Sequence, residues 1–492
     1  MEKVLKKIND KVNLSIFAKV IFIIFGIMLA IPSINYYVEK GTIFKFDTYY
    51  QFLLNNTDIK LQTVYYFIIL LLITVLYFII IKNRKKVFKD FRSIMIFVVI
   101  ISFIFVIVIP FFSSDVFYYL GIGRLDGKYH QNPYYTTIKG YVDNSNSNYE
   151  NDTVLMQGYY NDWGDTTVVY GPVWTFVCRI VALISFGNID IGLFAFKILN
   201  LLIHLCNCYL LYKISNKKIF SLLYGINPFI LIEAIAHVHN DIFIIFFTLL
   251  AFYFLIKKKK LILPIIFIAL ATAIKYFSIL LLPFIIIYYF RKEKPKIRLI
   301  KCVKYGLIFV AVLICCYLLY IQDFEVFKGL ITQNEKIAKG IYVILIDYFK
   351  DIPNIIENTK KVLLGSFVII YFFICVVMLN KKEIEFRTEM KTMNFLILAF
   401  LFLLITNFQP WYIMWIFPFI IWQKADIIKT MIGMSILSQL ANCIIIMYEE
   451  NWHYGTPFIF TLIVGTLMYY IIQKNNRSKR IKQLYFRRKQ IG

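Results

Sequence analysis

Acidic residues are scarce in this chain: 29 Asp and Glu stand against 54 Lys and Arg over 492 residues, a formal net charge of +25. No polar stretch is long enough to fold as a separate soluble domain. A Walker loop, a dinucleotide-binding glycine fingerprint and an HExxH helix are all missing, which excludes those routes to a nucleotide or zinc-peptidase site. No internal repeat recurs, neither of a solenoid nor of the inverted kind found in many transporters. Of the eight Cys, Cys178, Cys206, Cys208, Cys315, Cys316, Cys375 and Cys443 lie in apolar runs and Cys302 borders one. None falls in the polar loops, which excludes a disulfide framework. The spacing of Cys206 and Cys208 does not fit a zinc knuckle.

What the chain has is hydrophobicity. Sixty per cent of it is apolar, with a mean hydropathy of +0.68, against about 45–50% apolar in soluble domains. Many runs approach or exceed the roughly 18 residues that span a bilayer. The expected fold is an all-α polytopic integral membrane protein with about 12–14 transmembrane helices and a large outer loop carrying juxtamembrane helices. The first apolar run, 14–30, lacks a small-residue cleavage site and is read as a retained helix. The basic residues sit in short clusters between apolar runs, as positive-inside loops do. Membrane lipids are therefore the expected surroundings, and nucleic acid is not a partner.

Charge parity then orders the chain as one unit, 1–492, in a cell membrane with both termini cytoplasmic. Spans are expected near 14–36, 62–81 and 93–112, so the loop that opens at Ser113 lies outside. This outer catalytic loop runs over 113–190. Its middle, 140–165, is rich in Asn, Asp, Ser, Gly and Tyr and is expected to be irregular, with solvated carboxylates. The stretch 168–186 could cross by hydropathy, but a crossing would put the later Lys clusters outside, so it is expected to lie along the surface. A span over 191–212 carries Lys197, Asn200, His204 and Asn207 on one face. Lys197 is expected to snorkel, and the two Asn to bond neighbouring helices.

The next spans cover 219–236 and 241–256. As a single helix 261–290 would reach about 45 Å, too long for a span, so a break near Lys275 is expected. Further spans fall near 303–321, 361–379, 393–408, 427–448 and 457–472, with one more entering through Trp415. A second outer loop, 322–360, holds a surface-helix candidate at 341–358, and the tail 473–492 is basic.

Chemistry-bearing residues cluster at helix ends. Asp115 stands where a membrane helix should end, in SSDVFYYLGIGRLDGKYHQNPY (113–134). It is either the base of an active site or the N-cap of the helix that follows. Glu233, His237, His239, Asn240 and Asp241 form a polar knot between two apolar runs. The spacing of four puts Glu233, His237 and Asp241 on one face of a continuous helix. The knot is read as a hydrogen-bonded network gripping a donor, with a divalent cation on those three residues as the alternative. No metal ligand is assigned and no cofactor is certain. Lys275, and Gln409 with Trp411 and Tyr412, end or begin helices on the same side.

Together these residues suit transfer of a sugar. A carboxylate deprotonates a hydroxyl, cations stabilise a departing phosphate, and aromatics give a platform for a ring. The alternative is a transporter or flippase of a lipid-linked glycan, which should carry its charges at mid-membrane depth.

The order SSDVFYYLGIGRLDGKYHQNPY, YGPVW, NPFILIEAIAHVHND, AIKYFSILLLPF and QPWYIMWIFP resembles bacterial polyprenyl-phosphate-mannose-dependent mannosyltransferases of the GT-C superfamily. The resemblance covers about residues 90–425. It implies an inverting transferase that moves a hexose, mannose first, from a polyprenyl-phosphate sugar to a hydroxyl of a glycan or lipid-linked acceptor at the outer face. Asp115 would be the catalytic base. Arg124, His237, His239, Asn240, Asp241 and Lys275 would bind the donor phosphate or sugar. Tyr134, Tyr170, Gln409, Trp411 and Tyr412 would form the acceptor or sugar platform.

Overall fold

The structure is a computed structural model that describes residues 2–40, 59–336, 342, 345, 349, 352–381 and 383–447. The expected last span at 457–472, the basic tail and eight of the eighteen residues of the surface-helix candidate at 341–358 lie outside the described residues. Among those described, the chain is helical throughout and has no strand. In chain order the helices are α1 (Glu2–Lys40), α2 (Ile59–Val87), α3 (Phe91–Ile107), α4 (Asp115–Gly127), α5 (Ile138–Asp143), α6 (Thr153–Tyr159) and α7 (Pro172–Ile184). There follow α8 (Ile189–Ser215), α9 (Lys218–Gly225), α10 (Pro228–Ala236), α11 (Asp241–Ile256), α12 (Ile262–Thr272) and α13 (Tyr276–Tyr289). The last are α14 (Pro295–Tyr317), α15 (Lys328–Glu335), α16 (Ile355–Asn380), α17 (Phe386–Leu403), α18 (Pro410–Trp422) and α19 (Ala425–Met447).

Five of these, α1, α2, α8, α14 and α16, are long and apolar enough to cross a membrane, and α9 with α10 makes a sixth if the pair, bent by 55°, is one span. The chain is thus a multi-pass membrane protein. Among the described residues, further apolar helices of 10–17 residues are shorter than a simple span.

Local chemistry explains the breaks. Helix α3 starts at a capping box: Asp90 accepts from the Ser93 backbone N–H at 2.8 Å, and the Ser93 hydroxyl accepts from the Asp90 N–H at 3.2 Å. Between α12 and α13 the chain runs extended through Lys275 (φ −139°, ψ 127°), so the expected break near this Lys is present. YGPVW fills that break. The Gly171 and Val173 N–H groups donate to the carbonyls of Ile274 and Ala273, both at 3.0 Å. A β-carbon on Gly171 would lie 2.3 Å from the Ala273 oxygen, so only glycine allows this approach. Pro172 then opens α7, where its missing N–H costs nothing. With 13 residues α7 spans about 20 Å, short of the roughly 30 Å of a hydrocarbon core. It lies on α4, and Gly123 permits the contact: a β-carbon there would fall 2.1 Å from the Cys178 oxygen.

Three expectations are corrected. The segment 140–165 is not wholly irregular, since it contains the end of α5 and all of α6. Asp152, expected in solvent, is 6% exposed and accepts from Arg124 Nε at 2.8 Å, Lys128 Nζ at 3.1 Å and the Tyr129 hydroxyl at 2.7 Å. Lys197 does not snorkel. It is 1% exposed, and its ammonium donates to the carbonyls of Val108 and, at 2.9 Å, Ala236. Those carbonyls close α3 and α10, so the charge is met by two helix ends. Asn200 and Asn207 do bond neighbouring helices, to the Ala234 carbonyl at 2.6 Å and the Ile242 carbonyl at 3.2 Å.

Candidate active site

Asp115 is the first residue of α4, and Ser114 is its N-cap. The capping reading of Asp115 is therefore set aside: its carboxylate makes no cap bond and points elsewhere. The Tyr119 hydroxyl, one turn on, donates to Oδ2 at 3.3 Å, and Nδ1 of His239 stands 3.6 Å from the same oxygen. The Asp115 side chain is 14% exposed.

The HVHND turn is built by a break. The end of α10, Leu231–Ala236, is a wide π-type turn, and such turns recur at functional sites. Val238 follows with φ +63°, a strained value for a β-branched residue. The chain thus leaves the helix, and the face expected to hold Glu233, His237 and Asp241 never forms. His239 takes the third place instead. Glu233 Oε2 lies 3.0 Å from His237 Nδ1 and 3.1 Å from His239 Nε2. Asp241 opens α11 and receives the Lys275 ammonium at 2.8 Å on both oxygens, together with the indole N–H of Trp415.

Helix α18 presents the aromatics. It is a 3₁₀ helix throughout, so residues three apart eclipse. Tyr412 and Trp415 accordingly stack at 4.8 Å between ring centroids, and Lys275 lies 4.6 Å and 5.7 Å from the two rings. Trp411 stacks on the His239 ring at 3.9 Å.

These parts enclose a cavity of about 370 Å³, within the usual size range for a small-molecule site. Asp115, Tyr170, Lys275, Gln409, Trp411 and Tyr412 line it. One wall is apolar, from Phe277, Leu364, Phe400 and Leu404. His237, His239, Asn240 and Asp241 do not line it. They are 0–1% exposed and form the layer behind Asp115 and Lys275, which His239 and Asp241 approach directly. Arg124 does not line the cavity either. It sits at the far end of α4, 8% exposed and committed to Asp152. Tyr134 is 1% exposed, and its hydroxyl donates to the Tyr170 carbonyl at 2.8 Å, so it braces Tyr170 from outside the cavity lining.

Sequence reasoning missed Tyr118, Trp163, Asn407 and Lys360, which line the same cavity. Tyr118 could have been found, because it lies three residues after Asp115 on one helix face. Trp163 and Lys360 reach the cavity only through tertiary packing. Outside the membrane-spanning segments, burial opposes the charge of Asp152, but the Tyr129 hydroxyl, Arg124 and Lys128 outweigh it and hold its carboxyl below the usual range. Burial raises Asp126 despite the Tyr320 hydroxyl and Arg179 beside it.

Residues 23–291 match the family described as alpha-(1->6)-mannopyranosyltransferase, N-terminal domain. No curated protein and no solved structure matches the chain. The matched stretch is more than half of the chain and holds Asp115, YGPVW, HVHND and Lys275. On that match, and with Asp115 and Lys275 facing one cavity, the chain belongs to the alpha-(1->6)-mannopyranosyltransferase family, a GT-C-type family of membrane mannosyltransferases.

Proposed function

We propose that this mannosyltransferase takes mannose from a polyprenyl phosphate and transfers it, with inversion at C1, to a hydroxyl of a glycan or lipid-linked acceptor at the outer membrane face. Asp115 accepts the proton of the acceptor hydroxyl. The oxygen attacks C1 of the sugar. The bond from C1 to the phosphate oxygen breaks, and its electron pair stays on the phosphate, which leaves as polyprenyl phosphate beside the Lys275 ammonium. A positioned base contributes about 10²–10⁴ in rate, and a charge-assisted contact to the phosphate is strong where water is sparse. Tyr170, Gln409, Trp411 and Tyr412 hold the sugar and acceptor.

The observation that carries this reading is that Asp115 and Lys275 line one cavity that is also lined by the apolar side chains of Phe277, Leu364, Phe400 and Leu404. The polar end suits a sugar phosphate, and the Phe277–Leu364–Phe400 wall suits the first isoprene units of its lipid. The positive-inside pattern supports an outward site and cytoplasmic termini. The deciding experiment supplies purified protein with labelled polyprenyl-phosphate mannose or labelled nucleotide mannose. Transfer from the lipid donor alone is expected. Transfer from the nucleotide sugar in a lipid-free system, with none from the lipid donor, would overturn the proposal.

A further inference from the structure

Beneath the cavity, Glu233 Oε2 lies 3.0 Å from His237 Nδ1 and 3.1 Å from His239 Nε2, and one ligand atom from each of the three residues lies within 4.8 Å of the others. The three side chains are 0–1% exposed. Read as a hydrogen-bonded network, the cluster leaves the His239 ring without a hydrogen bond. Glu233 Oε2 meets one imidazole in a hydrogen bond, at His237. The second imidazole stands at 3.1 Å, yet neither ring nitrogen of His239 makes a hydrogen bond. Buried polar atoms in that state are rare and costly.

A cation at the point the three atoms share resolves this. Two imidazole nitrogens and one carboxylate oxygen are a common donor set for a divalent transition metal, as in three-ligand sites that keep a fourth position open. Ligation through Nε2 also leaves the His239 proton on Nδ1, the nitrogen 3.6 Å from Asp115 Oδ2. A metal-bound imidazole whose other N–H faces a carboxylate is the usual arrangement around such ions. The ring of His239 is held flat against Trp411, and the Phe111 ring packs edge-on against His237 at 4.9 Å, so both ligands are fixed by apolar neighbours. The Lys197 ammonium is occupied by the Val108 and Ala236 carbonyls.

We infer that Glu233, His237 and His239 form a divalent transition-metal site that fixes the tautomer and place of His239 and, through it, the aim of Asp115. The three residues stand outside the cavity lining, so the ion positions the base and does not meet the donor phosphate.

The test loads the purified full chain in detergent with Zn²⁺ or Co²⁺, removes free ion and measures metal per chain. About one ion per chain is expected, with the visible absorption of low-coordinate Co²⁺. His237→Ala and Glu233→Gln should each weaken retention by at least about tenfold. Asp115→Asn should keep the ion while losing transfer. Retention below about 0.1 ion per chain for Zn²⁺, Mn²⁺ and Co²⁺ alike would overturn the site. So would equal retention by wild type, His237→Ala and Glu233→Gln, which marks adventitious metal. If those variants fail to fold, the wild-type Co²⁺ spectrum and its reversal by a chelator decide instead. None of the metal readouts involves sugar transfer, so their failure leaves the base and donor assignments standing.

Discussion

The Lys275 ammonium lies 2.8 Å from each oxygen of Asp241, yet it still lines the cavity that Asp115 enters. Asp241 is fully buried and Lys275 is 14% exposed at its side chain, so the pair has an inner anion and an outer cation. This geometry holds the ammonium in place while leaving its outer side for a phosphate. Lys275→Met should therefore raise KM for the lipid donor and lower kcat, with a smaller change in KM for the acceptor. Steady-state kinetics with each substrate varied in turn would check it. A larger effect on the acceptor would count against the phosphate role.

Asp115→Asn keeps the shape of the side chain and removes the base. Transfer should fall about 10²–10⁴-fold with normal expression and membrane insertion. A radiolabel transfer assay on matched amounts of protein is sufficient. Near-normal turnover would leave Asp115 with a structural role at the start of α4.

Arg124 and Asp152 provide the contrast. Both are largely buried, and they pair at 2.8 Å. Removing one partner of such a pair costs about 3–5 kcal/mol, because the other charge is left buried. Asp152→Ala should lower thermal stability in detergent while the KM for donor stays within about twofold of wild type in the folded fraction. A selective loss of donor binding with unchanged stability would return Arg124 to the substrate site.

The same Asp152 gives a pH dependence. Its carboxyl is held below the ordinary range in the folded protein, so its contribution is present above the unfolded value of about 3.9 and is lost as pH falls through the folded pKa. The stability difference between wild type and Asp152→Ala should therefore be constant near neutrality and shrink in acid below about pH 4. A difference that grows in acid would contradict the assigned charge.

Topology is checked by cysteine-accessibility labelling at Asn148 and Lys258, which should react from opposite sides of the membrane. Reaction of both from one side would sink the outward placement of the site.

Composition and charge parity alone determined that this is a helical multi-pass membrane chain, because apolar runs of bilayer length need no partner to be recognised. They also located the break at Lys275, since a 30-residue apolar run is too long for one span. Asp115, Lys275, Gln409, Trp411 and Tyr412 were legible because charge and flat aromatics at helix ends are conspicuous against an apolar background. Periodicity failed at HVHND. A spacing of four means one face only while the helix continues, and here a π-type turn and the positive φ of Val238 end it. That backbone path exchanges Asp241 for His239 beside Glu233 and sends Asp241 to Lys275. Only tertiary structure decided that Arg124 belongs to Asp152, that Tyr134 braces Tyr170, and that Trp163 and Lys360 reach the cavity. Each of these depends on contacts between segments far apart in the chain, which a local pattern of residue types does not encode.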